Sequence, residues 1–372
     1  MKIGILTLRL HKNYGGILQN YALNKFLTDL GHEVKTINIV WDIRPKGFYA
    51  FLIYSKRFLM FLLGKRVNIF RERSIMEQDK ISNEQITAFK QKYIPLTEVF
   101  LVPGTSFHKL NGRFDAFVVG SDQVWRPKYT KGVEKYFLDF LSDNQAIRLS
   151  YSASFGSSYN EYSEKQRQTC GKLIKLFKGV SVREKAAITL IKDSLLWEVN
   201  PIQHIDPTFL LERKVYEQFI QRNPNKGGLY NYILDSNDDK NIVLNKVANK
   251  LGLTPYTLLN GSLSNDSNQV LKSVEIWLTS IADAEFVYTD SYHGCVFSII
   301  FNKPFLVYGN AQRGKARFES LLSLFGLEYR YIDTGSEFQE DSLMVPINWK
   351  QVNHIITKEK DRSLKYFKEM LG

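Results

Sequence analysis

The sequence predicts an α/β protein built from two doubly wound parallel sheets. Short apolar runs rich in Ile, Val, Phe and Tyr alternate with segments of helical period, which is typical of βαβ units. The chain has 372 residues, more than a single hydrophobic core usually serves. A polar stretch, QRNPNKGG (221–228), separates two such series. We therefore predict an N-terminal domain over 1–220, a C-terminal domain over 228–350 and a closing helix over 351–372.

The first series opens with a strand, a helix and a second strand. Later, the continuous apolar run FDAFVVG indicates a strand that is buried on both faces. The predicted strands are 2–8, 33–40, 114–120, 147–156 and 179–184, and the predicted helices are 16–31 and about 163–177.

The second series repeats the same alternation. Its predicted strands are 229–235, 254–259, 285–290, 304–309 and 328–332, and its predicted helices are about 240–251, 273–282, 293–301 and 315–325. Ligands of open parallel sheets bind at the carboxyl ends of the strands. We therefore expect a site in the cleft between the two domains.

Composition and charge narrow the class of partner. Hydrophobic residues make up 44% and charged residues 24%, as in soluble globular proteins. A formal charge of +12 favours an anionic partner: a phosphorylated small molecule, a nucleic acid or an acidic membrane surface. The two cysteines, Cys170 and Cys295, lack metal-ligand spacing and suit a reducing cytoplasm. Arg9 interrupts the first apolar run, so no signal peptide is expected.

Two cationic or titratable side chains follow predicted strands directly. His293 starts a helix after the strand that ends at Asp290, where the positive end of the helix welcomes an anion. An imidazole there is a candidate proton donor and acceptor, or a simple cap. Arg183 ends the strand VSVR, and its planar fork suits a carboxylate or phosphate; an ion pair with Glu184 is the alternative.

A basic loop, NAQRGKARFESLL (310–322), follows another strand. Arg313, Lys315 and Arg317 surround Gly314 at the mouth of a helix. This composition indicates an anion site, although basic loops are more often solvated.

Two strand-to-helix loops are candidates for sugar binding. In HKNYGGILQNYAL, the two glycines Gly15 and Gly16 permit close approach of the backbone, and Tyr14 offers a stacking ring. The segment matches neither dinucleotide nor P-loop fingerprints. Gln19 follows in the same helix, and a tight structural turn is the alternative interpretation.

The second loop is SDQVW, where Ser121, Asp122 and Gln123 stand beside Trp125. Short polar groups next to an indole are typical of sugar sites, and Asp122 is a candidate base for a sugar hydroxyl. A structural Asp that caps the next segment is the alternative.

Residues 47–66 pair a strongly apolar face with basic residues. Lys46 precedes the segment, Lys56 and Arg57 interrupt it, Lys65 and Arg66 end it, and Arg71 and Arg73 follow. Such a segment suits a membrane interface. An amphipathic core helix with a solvated basic edge is the more common alternative.

Taken in order, the segments KNYGGILQNYAL, FVVGSDQVW, SYSASFG, VSVRE, DPTFLL and TDSYHG resemble the polysaccharide pyruvyl transferase family. The resemblance implies two Rossmann-like domains in a GT-B-like arrangement. It also implies phosphoenolpyruvate as pyruvyl donor and, as acceptor, a sugar of an exopolysaccharide or capsule, often lipid-linked. Neither a metal nor a further cofactor is expected.

The resemblance also implies roles for residues. Arg183 would bind the donor's carboxylate or phosphate, and the histidine of the family's motif falls on His293, our candidate general acid and base. Asp122 is a second catalytic candidate from its residue type and position, not from the resemblance. Characterised members carry Arg-Leu-His where this chain has Ser291-Tyr292-His293, so one donor-binding cation is replaced by serine. Ser291 and Tyr292 are still expected at the donor, and Arg313 or Lys315 is expected to supply the cation. The acceptor would contact Tyr14, Gly15, Gly16, Gln19, Ser121 and Trp125.

Two other functions stay open at this point. One is a GT-B glycosyltransferase that uses a nucleotide sugar, because fold does not fix function. The other is a non-catalytic anion-binding module, although the chain carries no helix-turn-helix, RRM or KH signature and nucleic acid is not expected. We expect a cytoplasmic protein, with peripheral contact to the inner face of the membrane through 47–66.

Overall fold

The structure is a computed structural model of the chain. It describes residues 1–102, 104–130, 132–141, 146–221, 227–258, 270–310 and 314–372. Across these residues the chain forms two five-stranded parallel sheets and a two-stranded one, flanked by helices.

The first sheet belongs to the N-terminal part of the chain. Its strands are β1 (Lys2–Leu6), β2 (Glu33–Trp41), β3 (Leu96–Val102), β4 (Ala116–Val119) and β5 (Ile147–Ser150). They are parallel and lie in the order β3-β2-β1-β4-β5. The order reverses between β1 and β4, so a crevice opens at their carboxyl ends.

A short sheet continues this one at its β5 edge. It pairs β6 (Ser181–Val182) with β7 (Ile202–Gln203). Bridges Leu149–Gly179 and Ala153–Val182 join it to the segment of β5. The chain after β6 therefore ends at the same edge as the chain after β4.

The second sheet has the same parallel design. Its strands are β8 (Leu229–Tyr232), β9 (Pro255–Tyr256), β10 (Phe286–Thr289), β11 (Phe305–Tyr308) and β12 (Tyr331–Ile332). Their order is β12-β11-β10-β8-β9. Here the crevice lies beside β10 and β8, which precede the segments at 290–293 and 233–237.

Helices cover the sheets and connect the strands. They are α1 (Tyr14–Asp29), α2 (Gly47–Leu62), α3 (Arg71–Ser82), α4 (Glu84–Tyr93), α5 (Glu164–Ile174), α6 (Lys185–Thr189), α7 (Arg213–Glu217), α8 (Asp238–Leu251), α9 (Val274–Asp283), α10 (Tyr292–Ile300), α11 (Lys315–Phe325) and α12 (Trp349–Leu371). Within the part of the chain that the structure describes, no helix is both long and apolar enough to cross a bilayer.

The last helix returns to the N-terminal domain. The Tyr366 hydroxyl on α12 donates to the Ser150 carbonyl at 2.9 Å, and the Tyr151 hydroxyl donates to Ser363 Oγ at 2.9 Å. One apolar cluster includes buried residues of both domains, among them Ile3 and Trp277. The two domains are therefore joined by packing as well as by the chain connection.

The predicted fold class is confirmed, with local differences. Strand β3 and helices α3 and α4 were not predicted. The two helices are mostly polar in composition, whereas β3 (LTEVFLV) is mostly apolar and was missed. The predicted strand 328–332 shrinks to β12, because 328–330 form a 3-10 turn. In 254–259 the strand is β9, and residue 259 lies outside the described residues. The alternative of a core helix at 47–66 is wrong, because α2 has no buried residue.

Candidate active site

A cavity of about 240 Å³ lies between the two domains. The loops after β1 and β4 form one wall, and the segments after β8 and β10 form the other. Its lining residues are Leu8, Lys12, Asn13, Asp122, Gln123, Tyr129, Tyr232, Leu234, Asp290, Ser291, Tyr292, His293 and Arg317. The predicted cleft thus exists where the carboxyl ends of the two sheets face each other.

His293 lies in the first turn of α10 and lines this cavity. The Ser291 hydroxyl caps the helix by accepting a hydrogen bond from the Gly294 N–H at 3.3 Å. The imidazole is only 5% exposed, and its Nε2 lies 3.5 Å from Asp206 Oδ2. Among the described residues Nε2 has no hydrogen-bond partner. Nε2 faces the buried Asp206 carboxylate, which holds the ring in place at the cavity wall.

The imidazole of His293 packs directly on Gly15 of α1. A Cβ at Gly15 would lie 2.0 Å from the ring Cγ, so glycine is required there. Asn13 precedes α1, lines the cavity and accepts the Gly16 N–H at 3.1 Å. The amino ends of α1 and α10 therefore meet at the cavity, and both favour a bound anion.

Arg183 and Asp206 form a buried ion pair beside the histidine. Arg183 Nη1 donates to Asp206 Oδ2 at 2.9 Å, and Nη2 lies 3.7 Å from Asp122 Oδ1. Burial opposes the charge of the guanidinium, but Asp206 and Asp122 outweigh it and raise the pKa of Arg183. Its Nε and Nη2 have no hydrogen-bond partner in the described ranges. Arg183 therefore stays charged with two N–H groups to offer.

Asp206 joins Arg183 to His293. Its Oδ1 accepts from the Thr208 N–H at 3.1 Å and the Thr208 hydroxyl at 2.8 Å. Burial raises its pKa, but contact with His293 and Arg183 and the bond from the Thr208 N–H outweigh burial, so the pKa of Asp206 is well below its ordinary value. The carboxylate is negative and fixes both neighbours in position.

The phenol ring of Tyr292 lies between two guanidinium groups. Arg183 Cζ is 4.6 Å and Arg317 Cζ is 5.2 Å from the ring centroid, which are cation–π distances. Burial raises the pKa of Tyr292 above its ordinary value, so the phenol is neutral. Burial and the like charge of Arg183 lower the pKa of Arg317 to about 10, which leaves it cationic at neutral pH. Of these two buried cations, Arg317 lines the cavity, and Arg183 packs on Tyr292, which also lines it.

Arg317 reaches the cavity because the start of α11 packs closely against the N-terminal domain. A Cβ at Gly314, which has φ +97°, would lie 2.4 Å from the carbonyl oxygen of Gly156 in the other domain. Glu184 supports that loop, since its Oε1 accepts the Phe155 and Gly156 N–H groups at 2.8 and 3.1 Å. The start of α11 is therefore held against the loop after β5.

Asp122 forms part of the opposite wall and also organises its own loop. Its Oδ1 accepts from the Gln123 N–H at 2.8 Å, and its backbone has φ +67°. Its Oδ2 accepts from Asn13 Nδ2 at 3.5 Å. The carboxylate thus lines the cavity within reach of Arg183 while it caps the segment that follows.

The basic loop at 310–322 was predicted to bring Arg313 or Lys315 to the donor, and the structure places Lys315 elsewhere. Lys315 pairs with Asp333, lies 3.7 Å from Glu319 and does not line the cavity. Arg313 lies outside the described residues. Among the described basic residues of this loop, Arg317 lines the cavity and Lys315 does not, because the two point about 200° apart on a helix.

None of the six predicted acceptor residues, all of which the structure describes, lines this cavity. Tyr14 stacks on Trp277 at 5.3 Å and donates to the Lys272 carbonyl at 2.7 Å. Trp125 is fully buried and donates to the Tyr136 carbonyl at 2.9 Å.

Gln19 and Ser121 bond to each other. Gln19 Oε1 accepts the Ser121 N–H at 3.1 Å, and both side chains are fully buried. Contact of these four side chains with an acceptor stays a prediction.

Two important residues were not assigned from sequence, Asp206 and Asn13. Asp206 opens the segment DPTFLL directly after β7, so its position after a strand and before proline was an available signal. Asn13 was available as a cap before α1. No sequence pattern paired Asp206 with Arg183 and His293, which are 23 and 87 residues away.

Several solved structures have distant similarity to the chain. The glycotransferase of kitacinnamycin has 12% identity over 100% of this chain and 99% of its own, with a TM-score of 0.46. UDP-GlcNAc 2-epimerase from Neisseria meningitidis has 12% identity over 97% and 93%, with a TM-score of 0.43. An alpha-glucosyltransferase in complex with UDP and DNA has 9% identity over 98% and 92%, with a TM-score of 0.48. These values are too low to assign a function.

Sequence comparison with families is more specific. No curated protein matches the chain. The family model described as polysaccharide pyruvyl transferase, however, matches residues 13–312. This span includes Arg183, Asp206 and His293, and it takes up most of the 372 residues. The chain therefore belongs to the polysaccharide pyruvyl transferase family and is a transferase.

Proposed function

We propose that this transferase moves the pyruvyl group of phosphoenolpyruvate onto two hydroxyls of a sugar, releasing phosphate and forming a cyclic ketal. One observation carries the proposal: His293, Tyr292 and Arg317 line one interdomain cavity, and Arg183 lies directly beside them, paired with Asp206 and packed on the ring of Tyr292. Phosphoenolpyruvate is small and multiply negative, and it needs a proton donor as well as cations. The donor, the acceptor and the ketal are the parts of this proposal that need testing.

The two arginines suit the charges of the donor. Arg183 has two buried N–H groups without hydrogen-bond partners among the described residues, which fit a carboxylate or phosphate. Arg317 provides a second buried cation from the other domain. It would take the place of the cation that Ser291 does not provide.

The reaction balances with residues of the chain. Protonation of the donor's methylene carbon by His293 makes C2 electrophilic, and a sugar hydroxyl adds to C2. The C2–O bond to phosphate breaks, and a second hydroxyl closes the ketal. Of the two hydroxyl protons, one restores His293 and the other leaves with phosphate. Asp122 is our candidate to accept the proton of the first hydroxyl and to pass it to the departing phosphate, while the proton of the second hydroxyl restores His293. The arginines stabilise negative charge on phosphate.

We further propose that the acceptor is a lipid-linked precursor of a surface polysaccharide, such as an exopolysaccharide or capsule, and that the protein acts in the cytoplasm at the inner face of the membrane. A second cavity, of about 560 Å³, lies at the carboxyl ends of β1, β2 and β3. Most of its lining is apolar and includes Leu6, Ile39, Trp41, Ile43, Val102 and Phe107. An apolar cavity next to a sugar site would suit the lipid portion of such an acceptor.

Phosphate release tests the central part of this proposal. Purified protein is mixed with phosphoenolpyruvate and a galactose- or mannose-type acceptor, and phosphate and ketal are measured. We expect His293→Ala to lower kcat by about 10²–10⁴-fold, because the general acid is lost. His354→Ala, at an exposed histidine of α12, is the matched control and should keep wild-type turnover.

Two outcomes would contradict the proposal. Unchanged turnover of His293→Ala would remove the proposed role of the imidazole. Thermal stabilisation by a nucleoside diphosphate, without any by phosphoenolpyruvate, would instead favour a transferase that uses a nucleotide sugar.

A further inference from the structure

Helix α2 exposes an apolar face that nothing in the described chain covers. None of its residues is buried, although it is one of the most apolar segments of the sequence. Phe48, Phe51, Leu52, Phe58, Leu59 and Leu62 are each between 48% and 75% exposed. Apolar patches of this kind on a soluble protein mark surfaces that bind a partner or a membrane.

These six side chains lie on one face. They follow steps of three and four residues, so in a helix they form a stripe along one side, interrupted by Ser55 alone. Phe48 and Phe51 contact each other, with ring centroids 6.2 Å apart. The stripe continues past the end of the helix with Leu63, which is 70% exposed.

Another side of α2 contacts the segment that leads into α3. Tyr54 packs on Phe70 with ring centroids 5.6 Å apart. Arg57 donates to both carboxylate oxygens of Glu72 at 2.7 Å, and it also donates to the Ile69 carbonyl at 3.2 Å. The apolar stripe therefore lies on the side of α2 away from these contacts.

The charges around the stripe have one sign. Residues 47–71 include five cations and no Asp or Glu. Lys56, Lys65, Arg66 and Arg71 are exposed, and none forms an ion pair with a carboxylate in the described residues. An apolar stripe edged by unpaired cations is complementary to acyl chains below phosphate headgroups.

We propose that α2 docks on membranes that contain anionic phospholipid, with its apolar stripe in the interface and Lys56, Lys65 and Arg66 at the headgroups. A second copy of this chain is a poorer occupant. A twofold contact through α2 would bring identical cationic rims together and repel.

The location of α2 connects this surface with the cleft. The helix begins a few residues after β2, and Trp41 at the end of β2 lines the apolar cavity of about 560 Å³. Docking through α2 would bring that cavity close to the bilayer. The biological purpose of docking rests on the proposed function, since a lipid-linked acceptor resides there, but the docking itself rests on α2 alone.

Sedimentation with lipid vesicles tests this inference. The whole protein is mixed with vesicles of phosphatidylcholine alone, or with equal parts of phosphatidylcholine and phosphatidylglycerol. We expect binding to the second kind, weakened by salt. Phe51→Ser combined with Leu59→Ser should weaken this partition at least about tenfold, because two large apolar side chains are removed. Lys65→Glu combined with Arg66→Glu should also weaken it at least about tenfold.

Matched controls separate the surface from general effects. Leu176→Ser with Ile242→Ser removes two side chains that are 56% and 53% exposed elsewhere, and it should bind as the wild type does. Lys165→Glu with Lys172→Glu makes the same charge change on α5 and should also bind normally.

Several results would overturn the inference. The inference would be wrong if the wild type bound neither kind of vesicle. It would also be wrong if the Phe51→Ser/Leu59→Ser variant bound as strongly as the wild type does. Equal binding to phosphatidylcholine alone would remove the requirement for anionic lipid. If the wild type bound no vesicles but formed a dimer, and the Phe51→Ser/Leu59→Ser variant were a monomer, α2 would be assigned to self-association. Phosphate release from a water-soluble acceptor should be unchanged in the variant, so failure of docking and failure of the proposed chemistry are distinguishable.

Discussion

The interdomain cleft and helix α2 depart from ordinary side-chain burial in opposite ways. The cleft buries charges: Arg183, Asp206 and Arg317 are each at most 6% exposed. Helix α2 exposes large apolar side chains such as Phe48 and Phe51. Buried charge and exposed apolar area both cost stability unless something compensates. In the cleft the compensation is internal pairing, whereas on α2 the described chain offers none.

The largest effect is expected from breaking the buried pair. Asp206→Ala leaves Arg183 without its closest carboxylate and should lower the free energy of unfolding by about 3–5 kcal/mol. Urea unfolding followed by circular dichroism measures this. Asp341→Ala, which removes an exposed partner of Lys250, should cost no more than about 1 kcal/mol. Similar losses in both variants would mean that burial does not strengthen the Arg183 pair.

The next effect concerns the position of His293. Gly15→Ala would put a methyl group into the imidazole, so the ring must shift from Asp206 and the cavity. We expect kcat/KM for phosphate release to fall by about 10²-fold. At the neighbouring Gly16, an added methyl group would meet only the flexible side chain of Asn13, at 3.0 Å. Gly16→Ala should therefore lower kcat/KM by a few-fold at most. Equal activity of both variants would contradict a fixed position for His293.

A smaller, pH-dependent effect is expected from His204, two residues before Asp206. Burial, reinforced by Arg362, lowers the pKa of His204 to about 3 from 6.5. The unfolded chain therefore takes up this proton first as pH falls. Its contribution to stability is complete above about pH 6.5 and is lost toward pH 3, with a slope of at most about 1.4 kcal/mol per pH unit.

Urea unfolding across this pH range checks the sign. His204→Gln should flatten the dependence, whereas His354→Gln, at an exposed ring, should retain the wild-type slope. An unchanged slope in His204→Gln would show that another group controls the acid dependence.

The smallest effect is expected on α2. Phe51→Ser with Leu59→Ser should change the free energy of unfolding by no more than about 0.5 kcal/mol, because both side chains are already in water. Leu278→Ala, at a fully buried residue of α9, should cost about 2–5 kcal/mol. A large loss in the α2 variant would mean that its apolar face packs within the protein.

Much of the site could be predicted because parallel strands end at one edge of a sheet. Arg183 and His293 each follow a strand directly, so both were expected at the cleft, and both lie next to Asp206. The other residues that complete the site were harder to predict. Lys315 and Arg317 stand two residues apart on one helix, and only the packing of α11 against the Gly156 loop decides which faces the cavity.

Tyr14 illustrates a limit of local reasoning. An aromatic residue beside two glycines suggested a stacking ring for a sugar, but the ring packs on Trp277 of the other domain. Local sequence describes the turn in which a residue lies, whereas its contacts depend on the surface that arrives from elsewhere in the chain.

By itself, the sequence determined the alternation of strands and helices, the polar groups at the strand ends and the apolar, cationic character of α2. These properties depend on local periodicity and charge. Only the tertiary structure decided that Arg183, Asp206, Tyr292 and Arg317 meet, and that none of the described residues covers the stripe on α2. Such contacts depend on how two domains pack, because residues far apart in the chain become neighbours only when their supporting elements are brought together.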